Sequence, residues 1–192
     1  MSWPARLVLH DLACLRGERL LFEGIELALA PGDSALVTGP NGAGKSSLLR
    51  IIAGLLAPAA GRIERDGSLA LAAEAAALDA ERPLRAALGF WARLDGASEA
   101  ALDEAMTAMG LEALAEVPVG WLSTGQRKRA VLARTIASGA DIWLLDEPGN
   151  GLDAGALERL GAAMAAHLAG GGILVAASHQ PIGLVPTCEL RL

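Results

Sequence analysis

The chain contains no tyrosine and only two phenylalanines, so a site that stacks an aromatic ring on a ligand has few candidates. Its two cysteines, Cys14 and Cys188, cannot build a disulfide framework, and neither a CxxCH run nor a zinc spacing occurs. Both are expected as reduced, mostly buried thiols of a cytosolic protein. Long hydrophobic runs are missing as well. Apolar residues make up 53% of the 192, but many are Ala. The runs are broken by Glu, Asp, Arg or Gly well short of the ~20 residues that cross a bilayer. MSWPARLVLH has no basic segment followed by a long apolar stretch, so no signal peptide is expected and the protein reads as soluble. Positive charge is in deficit, with a formal net charge of −6. That argues against general nucleic-acid binding, which needs Lys and Arg to neutralise phosphates.

A chain of this length predicts one domain, residues 1–192, with a proper hydrophobic core. RLVLHDL and GIELALAPG alternate or run apolar between turn residues, as strands do. SALVTG (34–39) reads as a short buried strand, and KSSLLRIIAGLL (45–56) as a helix that stops before Pro58. From about Ala75 to Ala137 the pattern turns helical, in PLRAALGFWARL, SEAALDEAMTAMG and TGQRKRAVLARTIA. The strand IWLLD (142–146), a helix over GALERLGAAMAAHLAG and a strand GILVAAS follow. Strand–loop–helix at one end and strand–helix–strand at the other predict an α/β fold, a parallel sheet flanked by helices, with 75–137 as a helical insertion.

Gly39-Pro40-Asn41-Gly42-Ala43-Gly44-Lys45-Ser46 matches GxxxxGK[ST] in full, between a predicted strand and a predicted helix. Small residues let backbone N–H groups converge on phosphates, and the helix, which runs on through Ser47, adds its positive N-terminal end. Lys45 would reach the β- and γ-phosphates and the Ser46 hydroxyl would ligate Mg²⁺. A plain Gly-rich turn with a solvated lysine is the bland alternative, and the full motif in this context outweighs it. IWLLDEP supplies a second half: Asp146 ends an apolar strand and can hold Mg²⁺ through water, and Glu147 sits where a general base could polarise the attacking water. A lone Asp-Glu pair would read as a solvated turn. Paired with the phosphate loop it reads as a nucleotide-hydrolysis site.

Together with LSTGQ (122–126), GNGLD (149–153) and His179, these motifs resemble those of the nucleotide-binding subunits of ABC transporters, in order and over nearly the whole chain. The resemblance implies a P-loop NTPase core with N-terminal antiparallel strands and ATP as substrate. It also implies a head-to-tail homodimer, in which Leu122, Ser123, Thr124, Gly125 and Gln126 close over the partner's ATP. Leu152 and Asp153 then belong to the D-loop, and His179 would contact the γ-phosphate and orient water and Glu147. Alone, LSTGQ is also an ordinary helix cap. Arg127, Lys128 and Arg129 are expected as a solvated helix face with no specific role.

Two family features are missing. The only glutamines are Gln126 and Gln180, so none falls where the family places one between its two lobes. Aligning LALAAEAAAL with the family puts Glu74 about there, either in the Mg²⁺ shell or solvated in an Ala-rich linker. Arg16 falls near the family's adenine-stacking aromatic, where its guanidinium would stack on the base or lie on the surface. Weak adenine discrimination follows. RGERLLFEGI, VPVGWLSTGQRKRAVLAR and GGILVAASHQP further resemble the haem exporter ATP-binding subunits of bacterial cytochrome c maturation. That family works with an integral membrane subunit at the cytoplasmic face of the inner membrane. Its hydrolysis is tied to release of a haem-loaded chaperone or to haem transfer. Another small ABC exporter, or a catalytically weak regulatory subunit, is the alternative. The 75 residues between Ser46 and Leu122 cannot hold the coiled coil of chromosome-maintenance ABC ATPases, and a GTPase would carry NKxD. His10 and Cys14 lack an axial-ligand context and are expected to be structural. Phe90 and Trp91 lie where the family receives the membrane subunit, and one of the two is expected in helix packing.

Overall fold

The computed structural model describes residues 5–73 and 78–192; Glu74 falls outside the described residues. β1 (Arg6–Arg16) and β2 (Arg19–Leu29) make a hairpin turned at Gly17-Glu18. β3 (Ser34–Thr38) then leads through the phosphate loop into α1 (Lys45–Ile52). The helix is shorter than its sequence pattern, because a turn with Gly54 at φ 75° ends it. β4 (Ala60–Asp66) returns antiparallel to β1, completing a three-stranded sheet in the order β2-β1-β4. β5 (Leu69–Ala72) opens the second sheet.

Among the described residues α2 (Leu84–Leu94), α3 (Glu99–Ala108) and α4 (Thr124–Ala137) follow before the chain re-enters that sheet, with two short 3₁₀ turns between α3 and α4. Ser98 caps α3, accepting from Ala101 N at 3.1 Å. Arg85 of α2 bonds Asp103 and Glu99 of α3. β6 (Ile142–Asp146), α5 (Ala154–Ala169), β7 (Ile173–Ala177) and β8 (Cys188–Arg191) complete a five-stranded parallel sheet in the order β5-β6-β7-β3-β8.

This sheet is covered on both faces, which is why its central strands read as continuous apolar runs. Ile142, Leu144, Ile173 and Val175 meet α1 and the antiparallel sheet, whereas Trp143, Leu145, Leu174 and Ala176 meet α4, α5 and, through them, α2 and α3. Three strands were not visible in the sequence. β4 is mostly exposed, and β5 and β8 have four residues each, too few for a clear alternation. Cys14 is a buried core thiol and Cys188 is half-buried on the edge strand. His10 Nε2 sits 3.2 Å from a Glu64 carboxylate oxygen across the antiparallel sheet. Among the described residues no helix is long and apolar enough to cross a membrane.

Candidate functional site

Register builds the site. Val37 and Asp146 lie opposite the same β7 residue, Ala177, on its two sides. The segments after β3, β6 and β7 therefore leave one sheet edge side by side, at the carboxyl ends of the strands where open α/β sheets bind ligands. They carry the phosphate loop, Glu147 and His179 respectively.

Within the loop, Gly44 is left-handed at φ 111°, and a Cβ there would lie 2.9 Å from the Phe22 ring. Only glycine fits. Lys45 begins α1 and is 7% exposed, donating to Gly39 O at 2.9 Å and Pro40 O at 3.3 Å, with the Glu147 carboxylate 3.8 Å away. The Ser46 hydroxyl donates to Asp146 Oδ1 at 2.9 Å, across one hundred residues of sequence. Two oxygens so placed suit a hard cation that shares few protein ligands with phosphate oxygens and water. Among the described residues no group of three or more His, Cys, Asp or Glu is placed to hold a metal ion. A cavity of 370 Å³ lies over Asn41, Gly42, Lys45 and Ser47, with Arg16 and Glu147 at its rim.

Glu147 takes a left-handed φ of 46°, held by its N–H donating to Ala177 O at 2.8 Å. Such a backbone in a non-glycine residue is strained and re-aims the carboxylate away from the strand. Its Oε2 lies 2.8 Å from His179 Nδ1. The acid expected to activate water and the histidine expected to orient it are thus in contact.

Ser123 caps α4 in a capping box: its hydroxyl accepts from Gln126 N at 3.2 Å and the Gln126 side chain accepts from Ser123 N at 2.8 Å. Ser123, Gly125 and Gln126 open into a 290 Å³ cavity with Leu152 and Asp153. No described residue of the phosphate loop lines it. Only Thr124 turns to the chain's own side, into a 540 Å³ cavity with Ser46, Asp146 and Glu147. Gly125 packs closely on the D-loop: a Cβ there would stand 2.8 Å from Gly151 O.

The basic run departs from expectation. Arg127 donates to Leu122 O at 2.8 Å, Lys128 to Asp146 O at 3.1 Å, and Arg129 to Met109 O and Gly110 O at 2.9 and 2.8 Å. It is not merely a solvated face. Cations donate to carbonyls just after α3 and at the end of β6, where helix and strand ends favour positive charge or a donor. Sequence spacing carries no signal for such bonds, because any surface cation can reach a carbonyl. The same holds for Asn150 and Gln180, which bond each other beside the site.

The sequence profile of ABC transporters matches residues 22–150. The chain belongs to the ABC transporter family. As an ABC ATPase it binds and hydrolyses ATP, and it serves a membrane transport system. It is 58% identical to the cytochrome c biogenesis ATP-binding export protein CcmA of Sphingopyxis alaskensis over 96% of this chain and 95% of that protein. It is 53% identical to the protein of the same name in Zymomonas mobilis, over 98% of this chain and 85% of the relative. Among solved structures, an ATP-binding subunit of an ABC transporter superposes with a TM-score of 0.81 at 25% identity, over 91% of this chain and 80% of that one. A Pyrococcus furiosus protein described as an ABC transporter ATP-binding protein superposes with a TM-score of 0.86 over 97% of each chain. At 23% identity it attests the fold of this ABC ATPase alone.

Proposed function

We propose that this ATPase is the energy-supplying subunit of a bacterial cytochrome c maturation exporter, coupling ATP hydrolysis to release of a haem-loaded chaperone or to haem transfer. The observation that carries this reading is 58% identity, nearly end to end, with a relative named for cytochrome c biogenesis. The subunit sits peripherally on the cytoplasmic face of the inner membrane, held by an integral membrane subunit. Leu55, Leu69, Leu71, Asp95 and Arg134 line a 400 Å³ cavity, and Phe90 and Leu94 of α2 are exposed. An apolar, partly charged hollow of this kind suits a membrane subunit's cytoplasmic segment. Phe90 is half exposed and edge-on to Trp91 with ring centres 5.4 Å apart, and Trp91 lies under the Arg134 guanidinium, 3.6 Å from the ring centre.

In this mechanism the phosphate loop binds the triphosphate through its backbone N–H groups and Lys45, and Ser46 and Asp146 are the residues that would hold Mg²⁺. The cation, when bound, offsets charge on the β- and γ-phosphates. Glu147 takes a proton from water as the water oxygen attacks the γ-phosphorus, and the bond to the β–γ bridging oxygen breaks to leave ADP. His179 keeps Glu147 and the water aligned. Ser123 and Gly125 of a second copy close over the γ-phosphate in a head-to-tail homodimer. The outward opening of Ser123, Gly125 and Gln126, away from the chain's own phosphate loop, supports that arrangement. Cysteines placed at Ser46 and Ser123 test it. Disulfides between two copies in the presence of nucleotide are expected, and bonds confined to one copy would refute it. Purification from native membranes should recover an integral subunit together with the chain. Recovery with a membrane complex that leaves cytochrome c maturation intact when this chain is deleted would overturn the assignment.

A further inference from the structure

Asn150 and Gln180 are polar, lie beside the reacting groups, and have no role in the steps above. Gln180 Nε2 donates to Asn150 Oδ1 at 3.1 Å. Asn150 N in turn donates to Glu147 O at 3.2 Å. At the other end Gln180 follows His179 directly in the chain. Its backbone is pinned by Ser178, 2% exposed, whose hydroxyl accepts from Gln180 N at 3.2 Å and donates to Gln180 O at 2.7 Å. The His179–Glu147 contact closes the circuit. The result is a ring: Glu147, Asn150, Gln180, His179 and back to Glu147.

The ring answers a physical difficulty. The His179 side chain is 52% exposed, and an exposed ring gains little from one hydrogen bond while losing rotamer freedom to keep it. Its loop and that of Glu147 diverge from β6 and β7 after the backbone bond from Glu147 N to Ala177 O. The Glu147 carboxylate, which accepts from His179 N at 3.4 Å and meets its Nδ1 at 2.8 Å, ties them near the strands, and the amide pair adds a tie farther out. Gly149 makes room for it: a Cβ there would lie 3.0 Å from Gln180 Nε2 and 3.0 Å from Ile182 Cγ2.

We propose that the Asn150–Gln180 amide bridge is a positioning pair, which locks the loop carrying His179 onto the D-loop and so holds His179 in register with Glu147 during ATP hydrolysis. This rests on the roles given above to Glu147 and His179.

The purified transporter complex tests it by steady-state ATPase kinetics. Gln180→Ala and Asn150→Ala are each expected to lower kcat on the order of tenfold to a hundredfold. The KM for ATP should stay within about twofold, because neither amide lines the cavity over the phosphate loop. The double variant should be no worse than either single one, as for groups acting as a unit. Gln180→Asn alone should be impaired. Adding Asn150→Gln, which restores the combined length of the two side chains, should recover most of the rate. Gly149→Ala, which crowds the bridge while leaving both amides in place, should also lower kcat. Wild-type kcat in the single variants, losses that multiply in the double, or a rise in KM alone would each overturn the proposal. If an alanine variant fails to fold, the exchange pair decides: no rescue refutes the bridge. Glu147→Gln and His179→Ala serve as controls. If both hydrolyse ATP at the wild-type rate, the assigned roles fail. If both are dead while Gln180→Ala is fully active, the bridge alone fails.

Discussion

The chain holds two lysines, and both are tied to backbone at the site: Lys45 to the phosphate loop and Lys128 to the end of β6. Lys45 spans toward Glu147, so removing either group leaves the other without its counter-charge. Glu147→Gln keeps the shape and removes the base. Single-turnover hydrolysis should fall by roughly 10²–10⁴ while ATP binding persists. Full phosphate release by that variant would contradict the role given to Glu147. Arg16 borders the phosphate-loop cavity, and no tyrosine exists to stack on a base. A guanidinium plane stacks on any purine, so competition binding should give comparable ATP and GTP affinities. A strong ATP preference would place base recognition elsewhere.

At the scale of elements, α4 depends on its first turn. The capping box satisfies N–H groups that a helix otherwise leaves open, and Ser123→Ala should cost about 1 kcal/mol, read as a lower urea midpoint. Gly125→Ala would push a methyl against Gly151 O. Such overpacking costs about 1–3 kcal/mol, and separation of α4 from the D-loop should show in hydrogen exchange at 149–153. At the opposite end of the sheet, His167 of α5 stacks on Trp143 with ring centres 3.9 Å apart and bonds Ile173 O at 3.0 Å. Burial lowers its pKa below the ordinary 6.5, against smaller upward pulls from the Ile173 carbonyl and Asp141. The unfolded chain therefore binds this proton at a higher pH than the folded one. Stability from His167 is complete above about 6.5 and is lost as pH falls toward the folded value. Denaturant midpoints between pH 5 and 8 should show this slope, and His167→Phe, which retains a stacked ring, should flatten it.

For the whole molecule, the order of motifs predicted the family, and the carboxyl edge of one parallel sheet is what makes them a site. Motifs at 39–46 and 142–147 were legible because phosphate loops and strand-end acids are local patterns, dictated by backbone shape and charge, whereas His179 stood out only through the resemblance to the family. The long helices and central strands were legible for the same reason, through their periodicity. β4, β5 and β8 were not, since exposed or four-residue strands hold their place by pairing rather than by their own composition. Nor were the bonds of Lys128, Arg129, Asn150 and Gln180, which depend on what lies across the gap. The sequence by itself determined the local patterns: a phosphate-type loop, an acid pair at a strand end and a capped helix, each set by its immediate neighbours. Tertiary structure alone decided how they meet. Strand register, spanning up to one hundred and forty residues of chain, brings Ala177 between Val37 and Asp146 and so places three separate loops within hydrogen-bonding reach.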